Sequence, residues 1–582
     1  MPAVDLIQVP ASTTVAQLAH AGFSPGLMSA GLGTVTPEQT YLDIGAGNRV
    51  FNSLYDTELP PLRRGRCRAW LEEAVARAES APDEIEPGLL VRTLKRHGIA
   101  AGGIGLSACP LGIEPGFVED SGGTELSTFD SSLADAATLA RLSGRHTLVI
   151  AIAAPTGRTD DPIPIGIAGA GFHGDLTSDT TRTNGYVAST DIAPTVLEWF
   201  GVKVPSQMIG QSIRTEGSVD PAAIEARGAR MAVVSPRRGP VIGYSLLAWV
   251  LAAALVALVA RGLAPTAARL LGLSVIYLPV LLLVGAALEP AEYPEMLVVM
   301  VGSPLLAALT LAALRDYRAL AVGAAVVVGA YALDAILGSP LSALSLLGPN
   351  PGLGVRFYGI GNELEALLSV VIVGGIGAGL AGFAPRLSPG RCAAVFLAVG
   401  LACVAVFASG RFGADVGAAI DFSAGVAVAA VAITGGRRRW IVLVILIPLI
   451  AVGLLAAADL VTGANSHFTR SVLDAGGLHS LGDTAQRRLE QTAHSFVRPI
   501  LAVMLPLVAI LAVIAWLRRA TLAAWVRDFP AMRAGLLGAA VATVVATLAN
   551  DSGALLLEIG AAYLLVFVGW AWAEAGRSSR GA

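Results

Sequence analysis

The sequence is poor in charged residues, and lysine is almost absent from it. Asp, Glu, Lys and Arg make up 14% of the 582 residues, and the net charge is −3. Such a chain lacks the basic surface that nucleic-acid binding requires, so we exclude that class of function. Only Lys95 and Lys203 are lysines; arginine supplies the rest among much Ala, Gly and Val, a usage typical of a high-GC bacterial genome.

Cysteine is equally scarce. The four cysteines are Cys67, Cys109, Cys392 and Cys403, and their separations match no zinc-ligand pattern. Cys67 and Cys109 can form a disulfide if that part of the chain lies outside the cell, but two unpaired buried thiols are an equally good interpretation. The sequence leaves their pairing open.

Long apolar runs, in contrast, fill the chain after residue 240. Eleven windows are each long enough for a helix to cross about 30 Å of hydrocarbon. They lie at 241–260, 267–287, 294–314, 319–337, 363–383, 392–409, 414–434, 440–460, 497–517, 532–549 and 553–573. A soluble helical core would show polar stripes, and these windows have almost none. We predict an all-α polytopic transmembrane bundle of about 11 helices over 241–573, followed by a tail at 574–582.

The placement of arginine predicts the orientation of this bundle. If the first span runs from outside to inside, every loop on the cytoplasmic side carries arginine, as the positive-inside bias requires. These residues are Arg261, Arg269, Arg315, Arg318, Arg386, Arg391, Arg437, Arg438, Arg439, Arg518, Arg519, Arg527, Arg533, Arg577 and Arg580. The opposite loops are poor in arginine, and one is acidic, with Glu289, Glu292 and Glu295. We expect an extracytoplasmic N-terminal domain and a cytoplasmic C-terminus.

An N-terminal domain on the outer side needs a leader or an anchor that precedes it. Met1 stands three residues before an apolar strand, Val4–Val9, so the sequence as read starts without one. Either a leader lies upstream of Met1 or the domain is cytoplasmic. Every loop predicted to be cytoplasmic carries arginine, and this consistent pattern favours the upstream leader.

The first 213 residues alternate short apolar runs with helical stretches, which predicts an α/β domain with a mostly parallel sheet. The predicted strands are Val4–Val9, Thr147–Ala153 and Ile163–Ala168, and the predicted helices are Val15–His20, Leu89–His97, Ser131–Leu142 and Ala193–Phe200. A polar segment with several arginines, 214–240, is predicted to link this domain to the membrane.

One segment of this domain carries a recognisable motif. Tyr186–Gly201, YVASTDIAPTVLEWFG, reads as a strand that ends in an Asp-x-x-Pro-Thr turn, followed by a helix and a closing glycine. It resembles the C-terminal signature of the alkaline phosphatase superfamily of phosphatases, sulfatases, phosphodiesterases and phosphoethanolamine transferases. Gln207–Ser212, Pro37–Gly45 and Ser131–Ala153 resemble further family segments in the right order. The resemblance covers most of residues 1–213 and implies an alkaline-phosphatase-like fold.

The resemblance implies a centre of two divalent metals, held by Asp and His, around a Ser, Thr or modified Cys nucleophile. Here the aspartate that should end the first strand falls at Pro10, the nucleophile at Val35, and the Asp-His pair within Ala153–Thr156. A site short of three ligands binds a divalent ion weakly or not at all. We predict a pseudoenzyme domain without cofactor; the alternative is a metal-dependent phosphatase, sulfatase or phosphoethanolamine-type transferase.

Three polar residues of this domain are candidates for ligand binding. Asn48 and Arg49 lie in GAGNR, where an arginine beside glycine-rich backbone suits a phosphate or carboxylate. A buried arginine that ties the turn to its neighbours is an equally good interpretation. His173, in GAGFHGD, is a weak candidate for a surviving metal ligand, because an isolated loop histidine is more often solvated or structural.

Polar residues also gather at the ends of predicted spans, where they are costly and therefore usually functional. The three clusters are Arg356 with Asn362, Glu363 and Glu365; Arg411 with Asp415; and Asn550 with Asp551. Under the predicted topology all three open on the outer side. Arginine beside acids at glycine-rich helix ends suits the binding of a phosphate head group or a sugar. The alternative is that these residues form ion pairs that only hold the helix ends together.

These patterns predict an integral membrane protein of the cell envelope that binds and translocates, or transfers, a lipid-linked phosphate- or sugar-bearing molecule. Its predicted partners are membrane lipids or a lipid-linked envelope precursor. The clusters also resemble those of a family of bacterial multi-span envelope proteins with an alkaline-phosphatase-like domain, which we expect to be actinobacterial; this resemblance implies no activity. An ion- or proton-coupled transporter that uses Asp334, Asp421 and Glu558 is a further alternative.

Overall fold

The computed structural model divides the chain into two compact units. It describes residues 3–50, 72, 74–76, 78, 85–101, 125–130, 132–142, 147–155, 157, 159–435, 441–462, 492–493, 495–496, 504–550 and 552–581. The first unit comprises Met1–Val234 with Asn350–Phe357, and the second comprises Ser235–Pro349 with Tyr358–Ala582. Cys67, Cys109 and Asp551, which the sequence singles out, lie outside the described residues.

A seven-stranded mixed sheet forms the centre of the first unit, so the predicted α/β class is confirmed. The strands of this unit are β1 (Ala3–Val9), β2 (Ser24–Ser29), β3 (Ala100–Ala101), β4 (Glu125–Asp130), β5 (Thr147–Ala153), β6 (Ile163–Ala168), β7 (Asp175–Thr177), β8 (Tyr186–Ala188) and β9 (Arg214–Glu216). The sheet order is β3-β4-β1-β5-β6-β2-β8, and β7 pairs separately with β9. The pairs of β6 with β2 and β5 are antiparallel; the other four are parallel.

Among the residues that the structure describes, five complete helices accompany this sheet, and side-chain caps begin two of them. They are α1 (Val15–His20), α2 (Pro37–Ala46), α3 (Leu89–Arg96), α4 (Leu133–Leu142) and α5 (Ile192–Trp199). Thr14 and Gln17 form a capping box at α1, and the Thr36 side chain accepts a hydrogen bond from the Gln39 amide at the start of α2. Pro37 occupies the first turn of α2, where its missing N–H costs nothing.

The segment 214–240, predicted to be a linker, has regular structure over most of its length. Arg214–Glu216 forms β9, and helix α6 begins at Pro221 and continues to Val259. The boundary between the two units falls inside this helix, after Val234. The sequence did not show this, because the segment is polar and contains Pro236 and Pro240, and internal prolines usually argue against a continuous helix.

The second unit is helical, which confirms the predicted multi-pass architecture. After α6 its helices are α7 (Ala264–Leu288), α8 (Glu292–Ala313), α9 (Asp316–Ile336), α10 (Asn362–Phe383), α11 (Pro389–Phe407), α12 (Val416–Ile433), α13 (Ile441–Thr462), α14 (Leu505–Leu517), α15 (Arg519–Trp525), α16 (Pro530–Ala549) and α17 (Gly553–Gly581). Within the described residues, nine helices are long and apolar enough to cross a membrane. A tenth span results if α14 and α15, bent by 74°, are counted as one.

The two predicted windows that account for the difference from eleven are 440–460 and 497–517. The first window corresponds to α13. Among the described residues, the apolar part of α13 is Val444–Leu455, which is too short to be counted as a span. The second window ends at Leu517, where α14 also ends, and α14 is the first helix of the bent pair. The number of spans in the described part of the chain is therefore nine or ten.

Helices α10, α12 and α16 pack closely through small residues. A Cβ atom on Gly538 of α16 would lie 2.4 Å from the Gly425 carbonyl oxygen of α12. One on Gly535 would lie 3.1 Å from the Gly377 Cα of α10. Such glycines let helix backbones approach in a membrane, where packing rather than the hydrophobic effect holds helices together. We call this three-helix interface the glycine seam.

Candidate functional site

Three segments that are far apart in the sequence meet at one end of the second unit. The Ile360 amide donates a hydrogen bond to the Gly413 carbonyl at 3.0 Å. The Asn550 side-chain amide, at the C-terminal end of α16, donates to Glu365 Oε2 at 2.8 Å. The other Glu365 oxygen lies against the first turn of α12, 2.1 Å from where a Cβ of Gly417 would be. Residues of all three predicted clusters are thereby joined.

Asp415 completes this polar layer. Its Oδ1 accepts hydrogen bonds from the amides of Gly417 at 2.9 Å and Ala418 at 3.4 Å, so it caps α12. A carboxylate is favoured there because it meets unpaired backbone N–H groups and the positive end of the helix dipole. The Oδ1 atom would lie 3.1 Å from the same Gly417 Cβ position that Glu365 approaches. Glu365 and Asp415 are both buried. We call Glu365, Asp415 and Asn550 the polar layer.

Glu363 and Asn362 lie at the start of α10, one turn from the polar layer. Glu363 forms an ion pair of 2.7 Å with Arg238, which also donates to the Gly348 carbonyl at 3.0 Å. Asn362 is the first residue of α10 and is half-buried. From the sequence, Arg238 was assigned to the linker. The only sequence signal for its role is that this arginine stands at the start of an apolar run.

A second ion pair of α6 was also missed. Arg237 lies 3.0 Å from Glu295 in the first turn of α8, and it donates to the Pro290 carbonyl at 2.9 Å. The Glu295 side chain is completely buried. An unpaired charge at that place would be costly, so this pair fixes the first turn of α8 to α6.

Arg411 lies in the turn between α11 and α12 and is exposed. Its guanidinium carbon is 5.7 Å from the centre of the Phe412 ring, and its amide donates to the Ser409 hydroxyl at 3.3 Å. The same turn contains Gly413 and ends at Asp415, so it belongs to the end of the unit that holds the polar layer. Asp551 follows Asn550 directly and lies outside the described residues.

Arg356 belongs to the first unit, because the segment Asn350–Phe357 folds with that unit. Within it, the Gly33 amide donates to the Leu353 carbonyl at 2.7 Å. The Tyr186 hydroxyl donates to the Pro351 carbonyl at 2.9 Å. The segment therefore packs against the loop after β2, close in sequence to Val35, where the resemblance would place a nucleophile.

The two candidate anion-binding residues have protein partners. Gly47, with a φ of 59°, ends α2 and turns the chain into Asn48. Asn48 donates to the Gln207 carbonyl at 2.8 Å and accepts from the Arg49 amide at 2.7 Å. The Arg49 guanidinium donates to the Val355 carbonyl at 3.2 Å. These contacts match the interpretation of an arginine that ties neighbouring segments together, and anion binding stays a prediction.

Arg49 is also a half-buried cation. Burial lowers the pKa of its guanidinium, and the nearby carboxylates of Asp43 and Asp191 oppose that effect. Its guanidinium carbon lies 5.2 Å from the centre of the Phe357 ring, within the range of a cation–π contact. An arginine stays protonated in such surroundings, so it contributes a fixed positive charge.

Asp191, the aspartate of the family-like motif, serves as a buried hydrogen-bond acceptor. Its carboxylate accepts four hydrogen bonds, and the donors are the hydroxyls of Ser178 and Thr180 and the amides of Ala188 and Gln211. Burial raises the pKa of Asp191, and these hydrogen bonds oppose the rise. The motif thus fixes the turn before α5.

The positions at which the resemblance implies metal ligands are close together. Parallel pairing of β1 with β5 aligns Val9 with Ala153, so Pro10 lies beside the residues that follow β5. Val35, at the nucleophile position, is buried and pairs with Thr159. Among the described residues, no group of three or more His, Cys, Asp or Glu side chains has the geometry to hold a metal ion.

The remaining candidates lie apart from these groups. His173 is exposed, and its amide donates to the Thr215 hydroxyl at 3.4 Å. Asp334 accepts hydrogen bonds from the amides of Leu341 at 2.9 Å and Ser342 at 3.0 Å, which is a structural use of the carboxylate. Glu558 is half-buried in α17.

Comparison with known proteins identifies no relative of this chain. No family model, no curated protein and no solved structure matches it.

Proposed function

We propose that this multi-pass membrane protein binds and translocates, or transfers, a lipid-linked phosphate- or sugar-bearing molecule of the cell envelope, at the end of the bundle that holds the polar layer. The observation that supports this most is the meeting of three distant segments through the Ile360–Gly413 and Glu365–Asn550 hydrogen bonds. Polar side chains at span ends are costly, and bringing several together favours a binding role.

The chemistry of the residues suits a sugar-phosphate better than a simple anion. Carboxylates such as Glu365 and Asp415 repel phosphate but accept hydrogen bonds from sugar hydroxyls. The guanidinium of Arg411, exposed in the adjoining turn, offers the paired N–H donors that recognise a phosphate oxygen pair. A lipid tail would remain in the surrounding hydrocarbon, so only the head group would need protein contacts.

Equilibrium binding of a polyprenyl phosphate, presented in detergent micelles to the purified full-length protein, tests this proposal. We expect Arg411→Ala to weaken binding about tenfold or more, because a charged hydrogen-bond donor is lost. Asn550→Ala should also weaken it, since Glu365 loses its amide partner. Asp551→Ala, outside the described residues, is predicted to act in the same way.

Arg519→Ala is the matched control for Arg411→Ala. Arg519 is likewise exposed and stacks on a neighbouring ring, with its guanidinium carbon 5.0 Å from the centre of the Trp516 ring. Its loss should leave binding unchanged. Wild-type binding by both the Arg411 and Asn550 variants, with elution profiles like the wild type, would refute the site.

The orientation is testable by cysteine labelling of intact cells. In a cysteine-free background, Ala291→Cys before α8 should react with a membrane-impermeant maleimide, because this loop is predicted to lie outside. Ser388→Cys before α11 should react only after permeabilisation. Both positions are exposed helix N-caps, so their reactivities are comparable. The reverse pattern would place the N-terminal unit in the cytoplasm.

A further inference from the structure

The glycine seam holds a buried acid one turn below the polar layer. Gly417 of α12 meets Glu365 of α10, and Gly425 meets Val373, whose Cγ2 would lie 3.0 Å from a Cβ on that glycine. Both spacings are eight residues, so the two helices run parallel and in register along the seam. Asp421 stands midway on α12 at i+4 from Gly417, which places it on the same face.

The neighbours of Asp421 in the seam are small and mostly apolar. By the same register it lies opposite Ser369, whose hydroxyl already donates to the Ala366 carbonyl at 2.8 Å. On α16, Ala542 meets Gly425, and Ala546, one turn nearer to Asn550, packs with Ala366. Among the described residues, this arrangement places no cation against Asp421.

The Asp421 carboxylate is incompletely bonded. Its side chain is completely buried, and Oδ1 accepts a hydrogen bond of 2.8 Å from the Phe422 amide. Oδ2 is buried without a hydrogen-bond partner among the residues that the structure describes. An ionised carboxylate in such a place is strongly unfavourable inside a membrane, whereas a carboxylic acid is tolerated.

The ionisable groups of the elements that pack against α12 do not neutralise Asp421. These groups are Glu363 and Glu365 on α10; Arg391, Cys392 and Cys403 on α11; Arg533 on α16; and Asp459 on α13, which lies outside the described side chains. Arg391 and Arg533 stand near the starts of their helices, at the opposite end from the polar layer. Asp415, the N-cap of the same helix, is itself an acid and so supplies no neutralising charge to Asp421.

We propose that Asp421 is a proton-binding site of the membrane domain, and that it exchanges its proton with water through the polar layer of Glu365, Asp415 and Asn550. The proton is held on the Asp421 carboxyl and leaves to water as hydronium. Release of the proton leaves an ionised carboxylate in the glycine seam. It therefore requires water to enter between the helices that form the seam. Protonation and helix separation are therefore linked, as a proton-coupled carrier needs. The proposal does not rest on the lipid-linked ligand.

Infrared difference spectroscopy of the full-length protein in phosphatidylcholine liposomes tests the proposal. The wild type should show a C=O band of a protonated carboxylic acid, which shifts to lower frequency in D2O and loses intensity as the pH is raised. Asp421→Asn, which keeps the shape and stays neutral, should lack the band. Asp334→Asn is the control and should retain it, because Asp334 lies on α9, outside the glycine seam.

The measurement separates the competing explanations. A band that persists in Asp421→Asn, or no band in the wild type, would overturn the assignment. A band that is insensitive to D2O would show a buried acid that does not exchange and would overturn the proton site. Loss of the band on addition of sodium chloride at constant pH would overturn it in favour of a sodium site. The D2O measurement needs no variant, and failure of polyprenyl phosphate binding leaves all these results unaffected.

Discussion

Asp191→Ala should destabilise the N-terminal unit by about 4 kcal/mol, because it leaves a set of buried donors without their acceptor. The carboxylate accepts hydrogen bonds from two hydroxyls and two backbone amides, and two of these donors, the Ser178 hydroxyl and the Ala188 amide, belong to buried residues. For a unit of this size the melting temperature should fall by roughly 10 °C. Asp191→Asn should destabilise the unit nearly as much, because the asparagine NH2 group is itself a donor and would face the hydrogen-bond donors that surround Asp191.

The melting of the intact protein in detergent measures this effect, and hydrogen–deuterium exchange of peptides from β5 and β6 localises it to the first unit. Asp179→Ala is the matched control. Asp179 forms an ion pair of 2.7 Å with Arg214, but the two side chains are 66% and 52% exposed, so solvent screening leaves the pair a small contribution. Equal melting temperatures for the two variants would contradict the structural role of Asp191.

Gly538→Leu should prevent assembly of the helical unit. A Cβ atom at this position would already lie 2.4 Å from a backbone oxygen of α12, which has no freedom to rotate away. A leucine would have to separate α12 from α16, at a cost of at least about 3 kcal/mol, the upper end of overpacking effects. We expect loss of the monodisperse peak in size-exclusion chromatography after detergent extraction.

Gly329→Leu provides the comparison on α9, where a Cβ atom would meet nothing within 4 Å. The variant adds the same side chain to a membrane helix, so any general effect of leucine on expression or insertion cancels. It should elute and melt like the wild type. A Gly538→Leu variant that behaved in the same way would show that α12 and α16 do not pack through these glycines.

The sequence predicts correctly that Glu363, Glu365 and Asp415 lie at the starts of helices, but it offers only neighbouring residues as their ion-pair partners. Arg411 beside Asp415, and Arg356 beside Glu363, suggested local ion pairs. Glu363 instead pairs with Arg238, which is 125 residues away, and Glu365 bonds to Asn550, 185 residues away. Local spacing fixes which residues share a helix end, while the choice of partner depends on which helices are neighbours.

The amino-acid sequence by itself determined the α/β class of the first unit, the multi-pass helices of the second, and the starts of α1 and α2. Each of these depends on residues within one or two helical turns, through apolar run length or a capping side chain. Only the tertiary structure decided that Asn350–Phe357 folds with the first unit, that Asp191 is a structural acceptor, and that one carboxylate oxygen of the buried Asp421 has no hydrogen-bond partner among the described residues. Those outcomes depend on helix order and rotation, which no local pattern encodes.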